Sequence, residues 1–217
     1  MAKGLLTTLG IGAFFAVYFW VLHHPQSLPT VMPLTALDPL IGFQPAALAL
    51  YLSLWVYVAL APALLDSDRA LLIYAWAALA LSLLGFAIFV LWPTTVPTVM
   101  PNAAIDASAQ ASIAFLKSVD LAGNACPSMH VAFAVFTGAW LHRLLRAMRS
   151  GTALLTLNAL WCAAIVYSTV ATGQHVVLDV LAGALLGAAL ALGALRVALR
   201  EDCGAAQHSN HSANDLI

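Results

Sequence analysis

His175 and Asp179 stand four residues apart in "TGQHVVLDVLAG", a spacing that puts both side chains on one face of a helix. There a carboxylate can accept the imidazole Nδ1–H, fix the tautomer and leave Nε2 bare as a nucleophile or base. A second imidazole, His130, opens an apolar run in "GNACPSMHVAFAV". Pro127 and Ser128 before it suit a helix start, where Ser128 can cap the helix or bind a ligand oxygen. Asn124, Ser128, Thr172 and Gln174 add small polar groups beside the rings, and helix N-termini suit an anion such as phosphate. Asp179 lies about one turn inside its apolar run, where an ionised carboxylate is costly unless paired or wet.

The elements that carry these groups are hydrophobic. The 217-residue chain is 63% hydrophobic and 8% charged, against about 25% charged in soluble domains, and its mean hydropathy is +0.94. So little charge cannot cover a surface in water, so lipid must be the main solvent. Apolar runs near the spanning length of about 20 residues fall at 4–22, 46–65, 70–92, 129–147, 152–171 and 176–198. They lack the alternation of barrel strands, and lipid otherwise admits only helices. The expected fold is therefore all-α: a six-helix membrane bundle over 1–200, followed by a disordered polar tail over 201–217. The first run exceeds a signal-peptide core and ends without a small-residue cleavage site, so it counts as a retained helix.

Charge orients the bundle. Lys3, Arg69, Arg143, Arg146, Arg149, Arg196 and Arg200 all fall on one side of a six-span topology, and Lys117 stands alone on the other. The basic side is expected to be cytoplasmic, with both termini inside a cell membrane. His130 and His175 then lie at the outward ends of the fourth and sixth runs. Of the outward connections, 93–128 is long: a proline-broken stretch, then a short surface helix from about Asn102. Scattered cysteines at 126, 162 and 203 favour neither a disulfide framework nor a zinc site, and no basic aromatic patch suggests nucleic acid.

"CPSMH" and "TGQHVVLDVLAG" resemble the second and third motifs, P-S-G-H and S-R-x5-H-x3-D, of the type 2 phosphatidic acid phosphatase superfamily. The "GNACPSMH" wording is similar to the branch containing inositol phosphorylceramide synthases. The resemblance extends over about residues 70–190. It implies metal-independent and cofactor-free attack on a lipid phosphate in the bilayer. His175 would be the nucleophile, Asp179 its orienting partner and His130 the general acid. Asn124, Ser128 and Gln174 would hold phosphate oxygens. In-line displacement wants a nucleophile on one side of phosphorus and a proton donor on the other.

The chain departs from the family pattern in its cations. The first motif, K-x6-R-P, has no lysine or arginine in "VLWPTTVPTVMPN", where Thr98 or Met100 stands at the arginine position. Thr169 replaces the arginine after Ser168 in the third motif. Lys117 is either a substitute clamp or an interfacial, snorkelling lysine. Three functions stay open: a lipid phosphatase, a phosphotransferase moving a phospho-headgroup onto a lipid alcohol, and a non-catalytic lipid-binding relative. Gly183 and Gly187, four apart, read as a small-xxx-small packing face.

Overall fold

A computed structural model describes residues 2–97 and 123–214. Lys117, Thr98, Met100 and the expected surface helix fall outside the described residues.

Helices follow the apolar runs. In chain order they are α1 (Ala2–His23), α2 (Leu37–Ile41), α3 (Leu48–Leu52), α4 (Leu54–Leu64), α5 (Asp68–Leu91), α6 (Met129–Ala147), α7 (Thr152–Ala171) and α8 (Val177–Asn214). A 3₁₀ turn at Pro45–Ala47 leads into α3 and α4, which act as one apolar rod over 45–64. Among the described residues, four helical stretches are long and apolar enough to cross a membrane: Pro45–Leu64, Asp68–Leu91, Thr152–Ala171 and Val177–Leu199. The chain is an α-helical membrane protein. Large apolar side chains such as Leu72, Trp76 and Leu185 are exposed on its outside, as lipid contact requires.

The other two expected spans, α1 and α6, fall short of that length-and-composition measure among the described residues. The described apolar part of α1 is short, Thr7–His23. α6 is less apolar because it is the inner helix, packed against α8, α7 and α4. Protein rather than lipid surrounds its first three turns, so it tolerates the buried His130 and Thr137. Its own core residues, Phe136 and Trp140, are fully buried. Helical backbone also continues beyond the sixth run to Asn214. The polar tail expected over 201–217 is thus helical in backbone through Asn214, and Glu201, Ala205, Ala206 and Gln207 are good helix formers.

The all-α expectation needs one small addition. Two-residue strands β1 (Thr30–Val31) and β2 (Thr94–Thr95) pair in parallel, Thr30 with Thr94 and Val31 with Thr95. Thr94 bridges onward to Asn124. The connections after α1, after α5 and before α6 are thereby joined at one end of the bundle. The prolines that deny a helix here leave extended backbone free for this pairing.

Close approach of α6 and α8 depends on two glycines. A Cβ on Gly183 would stand 2.3 Å from the Ser128 carbonyl oxygen, and one on Gly187 2.2 Å from that of Ala132. Deeper in, the Tyr57 hydroxyl donates to Asn158 Oδ1 at 2.7 Å and Asn158 Nδ2 donates to the Gly138 carbonyl at 3.0 Å, linking α4, α7 and α6. Such interhelical bonds are worth about 0.6–2 kcal/mol each in membranes.

This packing yields a direct prediction. Gly183→Ala and Gly187→Ala should each destabilise the detergent-solubilised protein by about 1–3 kcal/mol through backbone overpacking. Gly193→Ala, whose Cβ would meet nothing within 4 Å, should be neutral or slightly stabilising. Thermal unfolding of the three variants checks this, and equal behaviour at 183 and 193 would contradict it.

Candidate active site

Local sequence sets each ring. Ser128 has extended backbone (φ −62°, ψ 107°), and its Oγ accepts the Val131 N–H at 3.3 Å, capping α6 two residues before His130. The Ser128 N–H crosses to α8 and donates to the Asp179 carbonyl at 3.1 Å. That bond is possible because Gly183 has no side chain. His130, two residues after Ser128, and His175, four before Asp179, thus come to one end of the bundle.

The turn before His175 is a Schellman cap on α7. Gly173 sits in the left-handed region (φ +69°), its N–H donates to Val170 and the Gln174 N–H donates to Thr169. The His175 N–H also donates to the Thr169 carbonyl, at 3.1 Å. Thr169, the residue in the arginine position, is fully buried and bonds its own helix through Oγ1. It works through its carbonyl.

At the start of α8 the helix amides are taken by the protein's own carboxylates. Asp179 Oδ2 accepts the Val176 N–H at 3.0 Å, and Asp38 Oδ1 accepts the Val177 N–H at 2.8 Å. The expectation that this N-terminus offers its amides to a phosphate therefore needs correction for these two groups. Burial pushes the Asp38 carboxyl up, but hydrogen bonds from the Thr35 side chain, the Thr35 backbone and the Val177 backbone outweigh it and hold Asp38 below the usual carboxylate range.

His175 Nδ1 stands 3.7 Å from Asp179 Oδ2, an ion-pair distance longer than a hydrogen bond. Asp179 is fully buried, and both His175 Nδ1 and Asp179 Oδ1 lack a hydrogen-bond partner among the described residues. Two complementary unsatisfied atoms on neighbouring groups need little motion to meet, and catalytic hydrogen bonds commonly tighten only when substrate binds.

His130 lies in an aromatic cradle: the Tyr51 ring stacks on it at 4.0 Å and 15°, and the Trp55 ring meets it edge-on at 6.3 Å. Its Nε2 is 3.0 Å from the Tyr51 carbonyl oxygen. A carbonyl only accepts, so the neutral ring carries its proton on Nε2. Nδ1 is then the atom that gains or loses a proton.

The other expected ligands have structural partners. Asn124 Nδ2 donates to the Tyr18 hydroxyl on α1. Gln174 Nε2 reaches the Thr172 carbonyl at 3.5 Å, leaving Oε1 buried and without a partner among the described residues. Among the described residues this end of the bundle holds no lysine or arginine; Arg69, Arg143, Arg146, Arg149 and Arg196 belong to the other end. Sequence reasoning missed Asp38, Tyr51 and Trp55. A lone acid in "TALDPL" and aromatics in an apolar run have no chemical spacing to mark them.

A family model described as the PAP2 superfamily matches residues 42–193. No curated protein and no solved structure matches the chain significantly.

Cys126, between Asn124 and the His130 helix, is buried. Desolvation, with the nearby Asp179 charge, pushes its thiol up to about 11. Since the thiolate is the reactive form, only about one thiol in a thousand is ionised at pH 8. N-ethylmaleimide at pH 8 should leave Cys126 unmodified in the folded protein, read by peptide mass spectrometry, and Cys126→Ala should keep activity. Rapid labelling of the native protein would contradict this environment.

Proposed function

Because the chain belongs to the PAP2 superfamily, a superfamily of phosphatases and related phosphotransferases, we propose that it is a membrane-embedded, metal-independent lipid phosphate phosphatase working through a phosphohistidine. The observation that supports this reading is the fully buried Asp179 carboxylate 3.7 Å from His175 Nδ1, on a helix whose start is bonded to Ser128, two residues before His130.

In the first half-reaction His175 Nε2 attacks phosphorus and the bond from phosphorus to the lipid oxygen breaks. The oxygen leaves as an alcohol with a proton from His130 Nδ1–H. The phosphorylated His175 ring carries a positive charge, which Asp179 balances through Nδ1–H. In the second half-reaction neutral His130 takes a proton from water, whose oxygen attacks phosphorus. The P–N bond breaks and inorganic phosphate leaves. A positioned proton donor contributes about 10²–10⁴-fold. The basic residues at the opposite end favour an extracytoplasmic site with both termini cytoplasmic.

A second reading has an observation of its own. Cations that clamp phosphoryl groups are a main electrostatic tool of such reactions, and the described site offers Asp38 and Asp179 instead. Such a site suits an ester of lower charge, such as a phosphodiester. A lipid alcohol attacking in place of water would then make the protein a phosphotransferase.

Purified protein in detergent should release phosphate from one of a panel of lipid phosphates with EDTA present, or transfer a headgroup to a supplied lipid alcohol. His175→Ala should abolish turnover, and His130→Ala should lower it about 10²–10⁴-fold. Lys117→Ala should weaken substrate affinity if that lysine is the clamp. Turnover that survives His175→Ala, or that needs a divalent metal, would overturn the reading.

A further inference from the structure

The connection that carries α2 belongs to neither motif, yet it grips both sides of the His175 turn. Asp38 is only 7% exposed. Its Oδ1 accepts the Val177 N–H at 2.8 Å, just after His175. Its Oδ2 accepts the Thr35 N–H at 2.6 Å and the Thr35 hydroxyl at 2.7 Å, so the carboxylate is held from its own side as well. Gly42, in the left-handed region at φ +63°, turns the chain back and donates its N–H to the Asp38 carbonyl. The Gln44 N–H then donates to the Ala171 carbonyl at 2.7 Å, at the end of α7. Phe43 lies against Gly173, its ring edge 3.7 Å from where a Cβ would stand. One short segment therefore bonds to the residues just before and just after "TGQHV".

We propose that Asp38 is a positioning residue for His175: a cap supplied to α8 from a separate element that fixes the turn presenting the nucleophile. The proposal rests on the phosphohistidine reading. The physical case has three parts. A carboxylate on a helix N-terminal amide is a charge-assisted bond reinforced by the helix dipole. The amide it holds lies two residues from His175 and two from Asp179, so fraying there would move both. Reactivity is steep in geometry: about 1 Å of misplacement can cost about a hundredfold.

The test uses the full-length protein in detergent and a ³²P-labelled lipid phosphate that the wild type turns over, followed by rapid quench. The final amplitude of phosphoenzyme counts folded sites, and the rate of its formation reports presentation of His175. Asp38→Ala should slow formation about tenfold or more, with the amplitude per mole and the KM close to wild type. Asp38→Asn keeps an oxygen acceptor for the Val177 N–H and should recover most of the rate. Hydrogen exchange over 176–180 should rise in Asp38→Ala and much less in Asp38→Asn. A wild-type rate in Asp38→Ala would overturn the proposal. So would a loss confined to amplitude, failure of both variants to fold, or failure of Asp38→Asn to rescue. A wild type that turns over lipid without any phosphoenzyme would instead bring down the underlying reading, and this inference with it.

Discussion

The backbone bond from Ser128 on α6 to Asp179 on α8 sets the geometry of the site. It exists because Gly183 lets one helix lie against the carbonyl of Ser128, and Gly187 repeats the contact one turn deeper at Ala132. In lipid no hydrophobic force pulls two apolar helices together, so close van der Waals approach and interhelical hydrogen bonds must do so. The same contact that joins the helices sets His130, two residues beyond Ser128, and His175, four residues before Asp179, at one end. Packing and chemistry here share one constraint.

Around that contact the protein satisfies most of its polar groups internally and leaves a few open. Ser128, Thr169 and Asp38 are committed to caps and turns. His175 Nδ1, Asp179 Oδ1 and Gln174 Oε1 are buried and without partners among the described residues. An unpaired polar atom in a buried setting costs about 1–3 kcal/mol, and such costs are tolerated where function uses them. Among the described residues three such atoms lie at the His175 turn, and Thr137 Oγ1 and Trp140 Nε1 lie on α6. The site is rich in acceptors and, among the described residues, without lysine or arginine. This sets it apart from a phosphate cradle built on cations and shifts the burden onto His130 and His175.

Much of this was legible in the sequence, for a physical reason. Spanning helices announce themselves by composition, so their ranges follow from runs of apolar residues alone. The i, i+4 spacing of His175 and Asp179, the Pro127–Ser128 start before His130 and the Gly183/Gly187 face are local patterns. Local patterns survive without knowledge of tertiary structure. What was hidden depends on contacts distant in sequence. Asp38 reaches Val177 across 139 positions, and Tyr51 reaches His130 across 79. The inner position of α6 was hidden because composition cannot say whether a helix's neighbours are lipid or protein. The two-residue strands are too short to leave a period.

A structure of the detergent-solubilised protein with orthovanadate, a mimic of phosphorus in flight, tests the central claim most directly. Vanadium bonded to His175 Nε2, with His130 Nδ1 within hydrogen-bond distance of the oxygen on its far side, is the predicted result. Vanadate bound without His175, or imidazoles too far apart to share one metal centre, would contradict it.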